Sequence, residues 1–133
     1  MQAPRPPRDK YTAPYWDALQ QGSIKLPRCR ACGHWLFPIG PCCSSCLSDE
    51  LEWQPLSGRG EVWSYIVYHH AFDPAFKDKL PYNVAIVKLD EGPRLISNVV
   101  GVADAETLTI DQRLHLLIQN ESGTAVPRFA LTP

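Results

Sequence analysis

Cys29-Arg30-Ala31-Cys32 and, ten residues further on, Cys43-Ser44-Ser45-Cys46 form the stretch that decides how this chain is read. Two C-x-x-C units meet the geometric need of a tetrahedral four-thiolate site. Each tight knuckle brings two sulfurs to one side of an ion, and knuckle amides can donate hydrogen bonds to them. Gly33, directly after the first pair, permits the positive φ that such a knuckle commonly needs. The spacing predicts a metal site of Cys29, Cys32, Cys43 and Cys46, with zinc as the metal. Cys42 breaks the two-residue knuckle spacing and is read as a packed or free thiol. Disulfides are one alternative, opposed by the odd cysteine number and by the reducing compartment expected below. A redox dithiol normally follows a strand and opens a helix, whereas Gly33-His34-Trp35 reads as a return strand. Iron in a rubredoxin-like site is the other alternative, since four thiolates accept either metal. A closed four-thiolate site has no open coordination position, so the metal is structural rather than catalytic.

Around the knuckles, all five cysteines fall between Leu26 and Pro55 among proline and glycine breakers. The apolar content there is too thin to fold thirty residues, which makes the metal the core of the module. Upstream, Thr12-Ala13-Pro14 reads as a helix start with Thr12 as cap. Tyr15, Trp16 and Leu19 then share one face, and Gly22 ends the segment. A two-turn helix is unstable alone and must dock, within the chain or on a partner. The opening MQAPRPPRDK carries charge and proline without an apolar core, so it reads as a flexible lead-in and not a secretory signal. No apolar run approaches the roughly 18 residues of a membrane span. A cytoplasmic protein is expected.

Downstream, Leu56-Ser57-Gly58-Arg59-Gly60 changes the texture. Strands are predicted over Glu61–Tyr68, Tyr82–Leu89, Arg94–Val100, Arg113–Gln119 and Ala125–Leu131, all rich in Val, Ile, Tyr and Leu. Asp90-Glu91-Gly92-Pro93 reads as a hairpin turn, and Ala103–Leu108 as a short helix or an irregular crossing. Five strands in about seventy residues suit a small closed barrel, of which the OB-fold is the commonest. The expected architecture is mainly β: a lead-in (1–10), an N-terminal docking helix (11–25), a rubredoxin-like zinc ribbon (26–57) and a five-stranded OB-fold barrel (58–133).

A net charge of −1 over 133 residues offers no strong basic field for nucleic acid or an anionic membrane. His69 and His70 are adjacent on a strand and point to opposite faces, which suits a barrel rim or an interface better than catalysis. His34 lies inside the metal module, and His115 alternates with Leu114 and Leu116 as a solvent-facing residue. No nucleophile elbow or glycine-rich phosphate loop is present. Trp63 and Tyr65 along the first barrel strand, with Phe72 and Phe76 in the loop after it, invite comparison with a stacking platform for single-stranded nucleic acid. The slightly acidic balance favours core packing and a protein interface instead. No self-contained active site is expected.

Taken in order, these residues resemble a known family: the zinc-ribbon/OB-fold proteins first catalogued as a domain of unknown function and associated with acyl-CoA metabolism. The likeness rests on Tyr15-Trp16-Asp17-Ala18-Leu19 before Gly22, on Arg28-Cys29-Arg30-Ala31-Cys32-Gly33 with Phe37-Pro38, and on Cys43-x-x-Cys46. It continues through Leu51–Gly60, Pro81–Gly92 and Arg94–Gly101. It departs at Leu47, where a glycine often follows the second knuckle, and at Cys42, usually an apolar position. The resemblance implies a helper subunit without catalytic residues. Its partner would be a thiolase-superfamily chain (a thiolase, an acetyltransferase or a retro-aldolase of steroid side chains) that carries the chemistry. Some family members also shape the tunnel for the CoA arm, so contact with the CoA of an acyl-CoA substrate is expected. Tyr15, Trp16 and Leu19 of the helix, with Phe72 and Phe76 of the loop, are the expected partner interface.

Overall fold

The computed structural model describes residues 8–71, 73–102, 107–121 and 123–133. Helix α1 (Ala13–Gln20) leads into two short antiparallel strands, β1 (Lys25–Cys29) and β2 (Leu51–Pro55), which brace the cysteine-rich stretch between them. Five longer strands follow: β3 (Arg59–Tyr68), β4 (Tyr82–Leu89), β5 (Arg94–Ser97), β6 (Arg113–Glu121) and β7 (Thr124–Leu131). A 3-10 turn (Pro74–Lys79) lies between β3 and β4.

The start of α1 corrects the expected cap. Thr12 occupies the cap position but makes no side-chain bond to the helix. The Asp9 carboxylate instead accepts from the amides of Tyr11 (2.8 Å) and Thr12 (2.9 Å), and the Thr12 hydroxyl accepts from the Asp9 amide. A carboxylate accepts more strongly than a hydroxyl, so the aspartate three residues upstream organises the turn. Gly22 ends the segment at φ +88°. Tyr15, Ala18 and Leu19 face inward, and α1 packs on β7 and β1.

The barrel strands run in the order β5-β4-β3-β6-β7, antiparallel throughout. Closure comes from the other edge. After Ser97 the chain leaves β4 and bonds to β7: Phe129 donates its amide to Asn98, and Val100 donates to the Phe129 carbonyl at 2.8 Å. Val99 and Phe129 form a parallel bridge there. The strand predicted over Arg94–Val100 is therefore cut at Ser97, because its last residues change partner. Asn83 clamps the changeover. Its buried amide donates to the Val99 carbonyl (2.8 Å) and accepts the Val99 amide (2.7 Å). Ser97 adds a hydroxyl bond to the Pro127 carbonyl at 2.8 Å.

Gly60, the second residue of β3, has to be glycine. A Cβ there would lie 2.5 Å from the Lys88 carbonyl oxygen, so only glycine lets β3 and β4 approach at this point. The core runs continuously from Tyr15, Leu19, Ile24 and Leu26 into Val62, Ala85, Val87, Leu95, Leu114 and Phe129. Helix and ribbon base thus share one apolar interior with the barrel. The ribbon itself owns only Cys29, Leu36 and Cys43, with Leu51 at its edge. Such a cluster is too small to hold the module by burial. Most of the crossing expected over Ala103–Leu108 lies outside the described residues; Leu108 itself is buried in the core.

Candidate metal centre

The two knuckles are built alike, atom for atom in their backbone bonds. In the first, the Cys29 amide donates to the His34 carbonyl and the Gly33 amide to the Cys29 carbonyl, both at 2.8 Å. In the second, the Cys43 amide donates to the Ser48 carbonyl (2.8 Å) and the Leu47 amide to the Cys43 carbonyl (2.9 Å). The leading sulfurs, Cys29 and Cys43, are buried, and the trailing ones, Cys32 and Cys46, are exposed. The fifth residue of each knuckle has positive φ: Gly33 at +80° and Leu47 at +65°.

All four Sγ atoms lie within 4.8 Å of one another. Cys29 and Cys46 approach to 3.5 Å, and Cys32 and Cys43 to 3.6 Å. Zinc–sulfur bonds of about 2.3 Å at tetrahedral angles put sulfurs about 3.8 Å apart. The cluster has the size of that donor set. Cys42, only partly buried, is not in it. His34 is exposed, and its Nε2 lies 3.3 Å from the Ser44 hydroxyl rather than in the cluster.

The electrostatics repeat the same symmetry. The backbone N–H of Cys32 acts against burial, helped by that of Ala31, and brings the Cys29 thiol down to about 7. The amides of Cys46 and Ser45 lower Cys43 likewise, with the Ser45 amide 3.3 Å from its sulfur. The trailing sulfurs go the other way. Although the Ser48 amide favours its thiolate, crowding by the Cys29 and Cys32 sulfurs pushes the Cys46 thiol up to about 12. Cys32 is also raised, against a favourable bond from the His34 amide. Four sulfurs this close cannot all be anions without a cation among them. A divalent ion removes that conflict, and backbone N–H donors are already aimed at the sulfurs.

The other candidates fall elsewhere. Tyr15 (6% exposed) and Leu19 (1%) belong to the chain's own core, because the barrel and β1 cover the inward face of α1. That burial withdraws both from the expected docking surface. Burial, opposed by the Arg128 charge, also raises the Tyr15 hydroxyl to about 12. Trp16 is half-buried, and its indole N–H has no acceptor. Phe72 lies outside the described residues, and Phe76 is described only as backbone in the 3-10 turn. His69 and His70 are exposed where β3 ends, and His115 Nδ1 lies 3.3 Å from the Thr132 hydroxyl.

Trp63 and Tyr65 do not form one platform. A β-bulge between Val62 and Ser64 inserts Trp63 as an extra residue and breaks the alternation. Tyr65 turns inward and donates its hydroxyl to the Leu108 carbonyl at 2.7 Å, while Trp63 stands outside beneath the Arg94 guanidinium, 4.3 Å away. Sequence spacing gave no signal of the bulge. Among the described residues no helix is long and apolar enough to cross a membrane.

Comparison with known proteins places these features together. Residues 16–52 match the rubredoxin-like zinc ribbon domain of ChsH2, and residues 53–119 match the C-terminal OB-fold domain of ChsH2. The chain is 43% identical over 100 residues to a probable enoyl-CoA hydratase alpha subunit of Thermomonospora curvata, spanning 75% of this chain but only 31% of that longer relative. It is 36% identical to a DUF35 domain-containing scaffold protein of Methanothermobacter thermautotrophicus, over 86% of this chain and 89% of the other. Benzoylsuccinyl-CoA thiolase subunit BbsA of Thauera aromatica is 34% identical over 59% of this chain and 52% of its own. A chain of the solved Ltp2-ChsH2(DUF35) aldolase superposes with a TM-score of 0.84 at 36% identity, covering 96% of this chain and 98% of that one. With both domain models matched in order and a solved chain superposing over 96% of this one, this chain belongs to the ChsH2 (DUF35) family of zinc-ribbon/OB-fold proteins.

Proposed function

We propose that this chain is a non-catalytic, zinc-binding scaffold subunit of an acyl-CoA-processing complex whose chemistry resides on a thiolase-like chain. The observation that carries this reading is the closed donor set. Four sulfurs enclose the candidate ion, and a four-thiolate site keeps no position for water or substrate. The metal would supply folding, not catalysis. Zinc held by Cys29, Cys32, Cys43 and Cys46 would organise the ribbon (26–57) against the barrel (58–133). Relatives named as a scaffold protein, a thiolase subunit and a chain of an aldolase complex support the assignment.

Trp16, half-buried on α1, and Phe76, in the loop after β3, are proposed as secondary contacts with that chain. Lys77, exposed on the 3-10 turn, supports contact with the phosphates of CoA. A reducing cytoplasm suits the free thiols the site needs. The test is co-expression with thiolase-like chains of the same source, followed by gel filtration and metal analysis of the purified complex. A stoichiometric complex containing one zinc per copy of this chain is expected. An isolated chain that cleaves acyl-CoA esters unaided would overturn the reading.

A further inference from the structure

Strand β4 is apolar on both faces. Its inward residues Asn83, Ala85, Val87 and Leu89 line the barrel, yet the outward ones include Tyr82, Val84 and Ile86. An antiparallel strand with one wet face normally alternates apolar with polar; a strand apolar on both sides is normally covered on both. The neighbouring strands continue the pattern. Ile86 pairs with Ile96 of β5, and Val84 with Ile66 of β3. Ile96 is 72% exposed, Ile66 54% and Trp63, turned outward by the bulge, 43%. Tyr68 and Tyr82 stack at one end, with ring centroids 5.2 Å apart. At the other end Lys88 stands directly opposite Arg94, with Glu61 on the far side of Lys88.

Exposed apolar side chains on three neighbouring strands of one face make a patch of a few hundred Å², the scale at which a patch on a monomer is often functional. A standard interface buries about 800 Å² per partner, somewhat over half of it apolar, so the strip matches one such interface core. An obligate homodimer of this fold would need well over about 1,000 Å² per copy. Charge points the same way. Lys88 and Arg94, directly opposite each other, repel; Glu61 is shared between Lys88 and Arg113, and Arg94 rests on the Trp63 ring. A second copy would bring the same cationic excess; a partner with acidic groups beside an apolar patch relieves it.

We propose that the outer face of β3, β4 and β5, centred on Ile66, Ile86, Ile96 and Trp63, is the surface on which the thiolase-like catalytic subunit docks, through an apolar patch with an acidic flank toward Lys88 and Arg94. This rests on the function proposed above and names the surface that serves it. Ile66 and Ile96 already face water, so a charge at either leaves the barrel's interior intact.

The experiment measures affinity for the co-expressed thiolase-like subunit by calorimetry, using the full chain with zinc content checked. Ile96→Glu and Ile66→Glu should each weaken binding at least about thirtyfold, the range of a charged group set into an interface centre. Arg94→Glu should weaken it further as salt is lowered. Leu117→Glu, at an exposed apolar site on β6 outside the strip, should leave affinity unchanged. Unchanged binding by both isoleucine variants overturns the surface while leaving the subunit assignment standing. A wild-type chain that binds no thiolase-like subunit removes the assignment, and the surface with it. Loss of self-association in Ile96→Glu, without loss of partner binding, would reassign the strip to a second copy and refute the proposal.

Discussion

Leu47→Gly should make the ribbon hold zinc more tightly. The two knuckles share their hydrogen bonds and their positive φ, but the first carries Gly33 where the second carries Leu47 at φ +65°. An L-residue in the left-handed region costs about 1–2 kcal/mol, and glycine returns about 0.5–1 kcal/mol of that as extra unfolded-state entropy. Leu47 is 76% exposed, so removing its side chain forfeits little packing. The net gain is about 0.5–1 kcal/mol. Because the ribbon folds around its metal, that gain emerges as affinity, a factor of about two to five. The mirror substitution works in reverse. A Cβ at Gly33 would meet nothing nearer than an Arg28 guanidinium nitrogen at 3.8 Å, so Gly33→Ala reports backbone strain without a clash and should weaken zinc by a similar factor. Competition titration against a chelator of known affinity measures both. Weaker zinc retention in Leu47→Gly, or an unaffected Gly33→Ala, would refute the knuckle-equivalence argument.

Cys43→Ser should release the metal and unfold the ribbon, with Cys42→Ser nearly silent; metal analysis that gives the opposite order would reassign the ligands. Asn83→Ala leaves the buried amide and carbonyl of Val99 without partners and should destabilise the barrel by about 2–4 kcal/mol, read as a lower urea midpoint at unchanged zinc content. Lower pH should weaken zinc binding. Cys46, pushed up to about 12, is protonated at neutral pH in the metal-free chain, and Cys29, near 7, joins it as pH falls. Each added proton must leave before the metal binds, so affinity measured between about pH 8 and 5 should drop with a steepening slope. A flat profile would mean that the sulfurs are not the ligands.

Local features were legible and non-local ones were not. The knuckles, the Gly92 turn and the span of β4 could be read from spacing because a few consecutive residues determine each of them. A five-stranded barrel was expected from strand number and family likeness, but the order of its strands was not. The Asn83 clamp was invisible, because its partner Val99 lies sixteen residues away and only the closure of the barrel brings them together. The bulge at Trp63 was missed for a related reason: alternation in sequence assumes an unbroken ladder. The helix is too short to stand alone, and the sequence leaves open whether its home lies within the chain or on a partner. Its aromatic and leucine side chains find one between β7 and β1, which moves the search for the docking surface to the sheet. Of the expected ligand set, the fold brings all four sulfurs together; zinc as the ion rests on the ribbon family and on sulfur spacing.

The most direct test of the account is the rate of acyl-CoA turnover measured three ways: this chain alone, the thiolase-like chain alone, and both together with zinc retained. The account predicts no turnover from this chain, weak or unstable activity from the thiolase-like chain, and full activity only from the pair. Turnover by this chain alone, or a thiolase-like chain equally active and stable without it, would contradict the claim that it serves as a non-catalytic subunit.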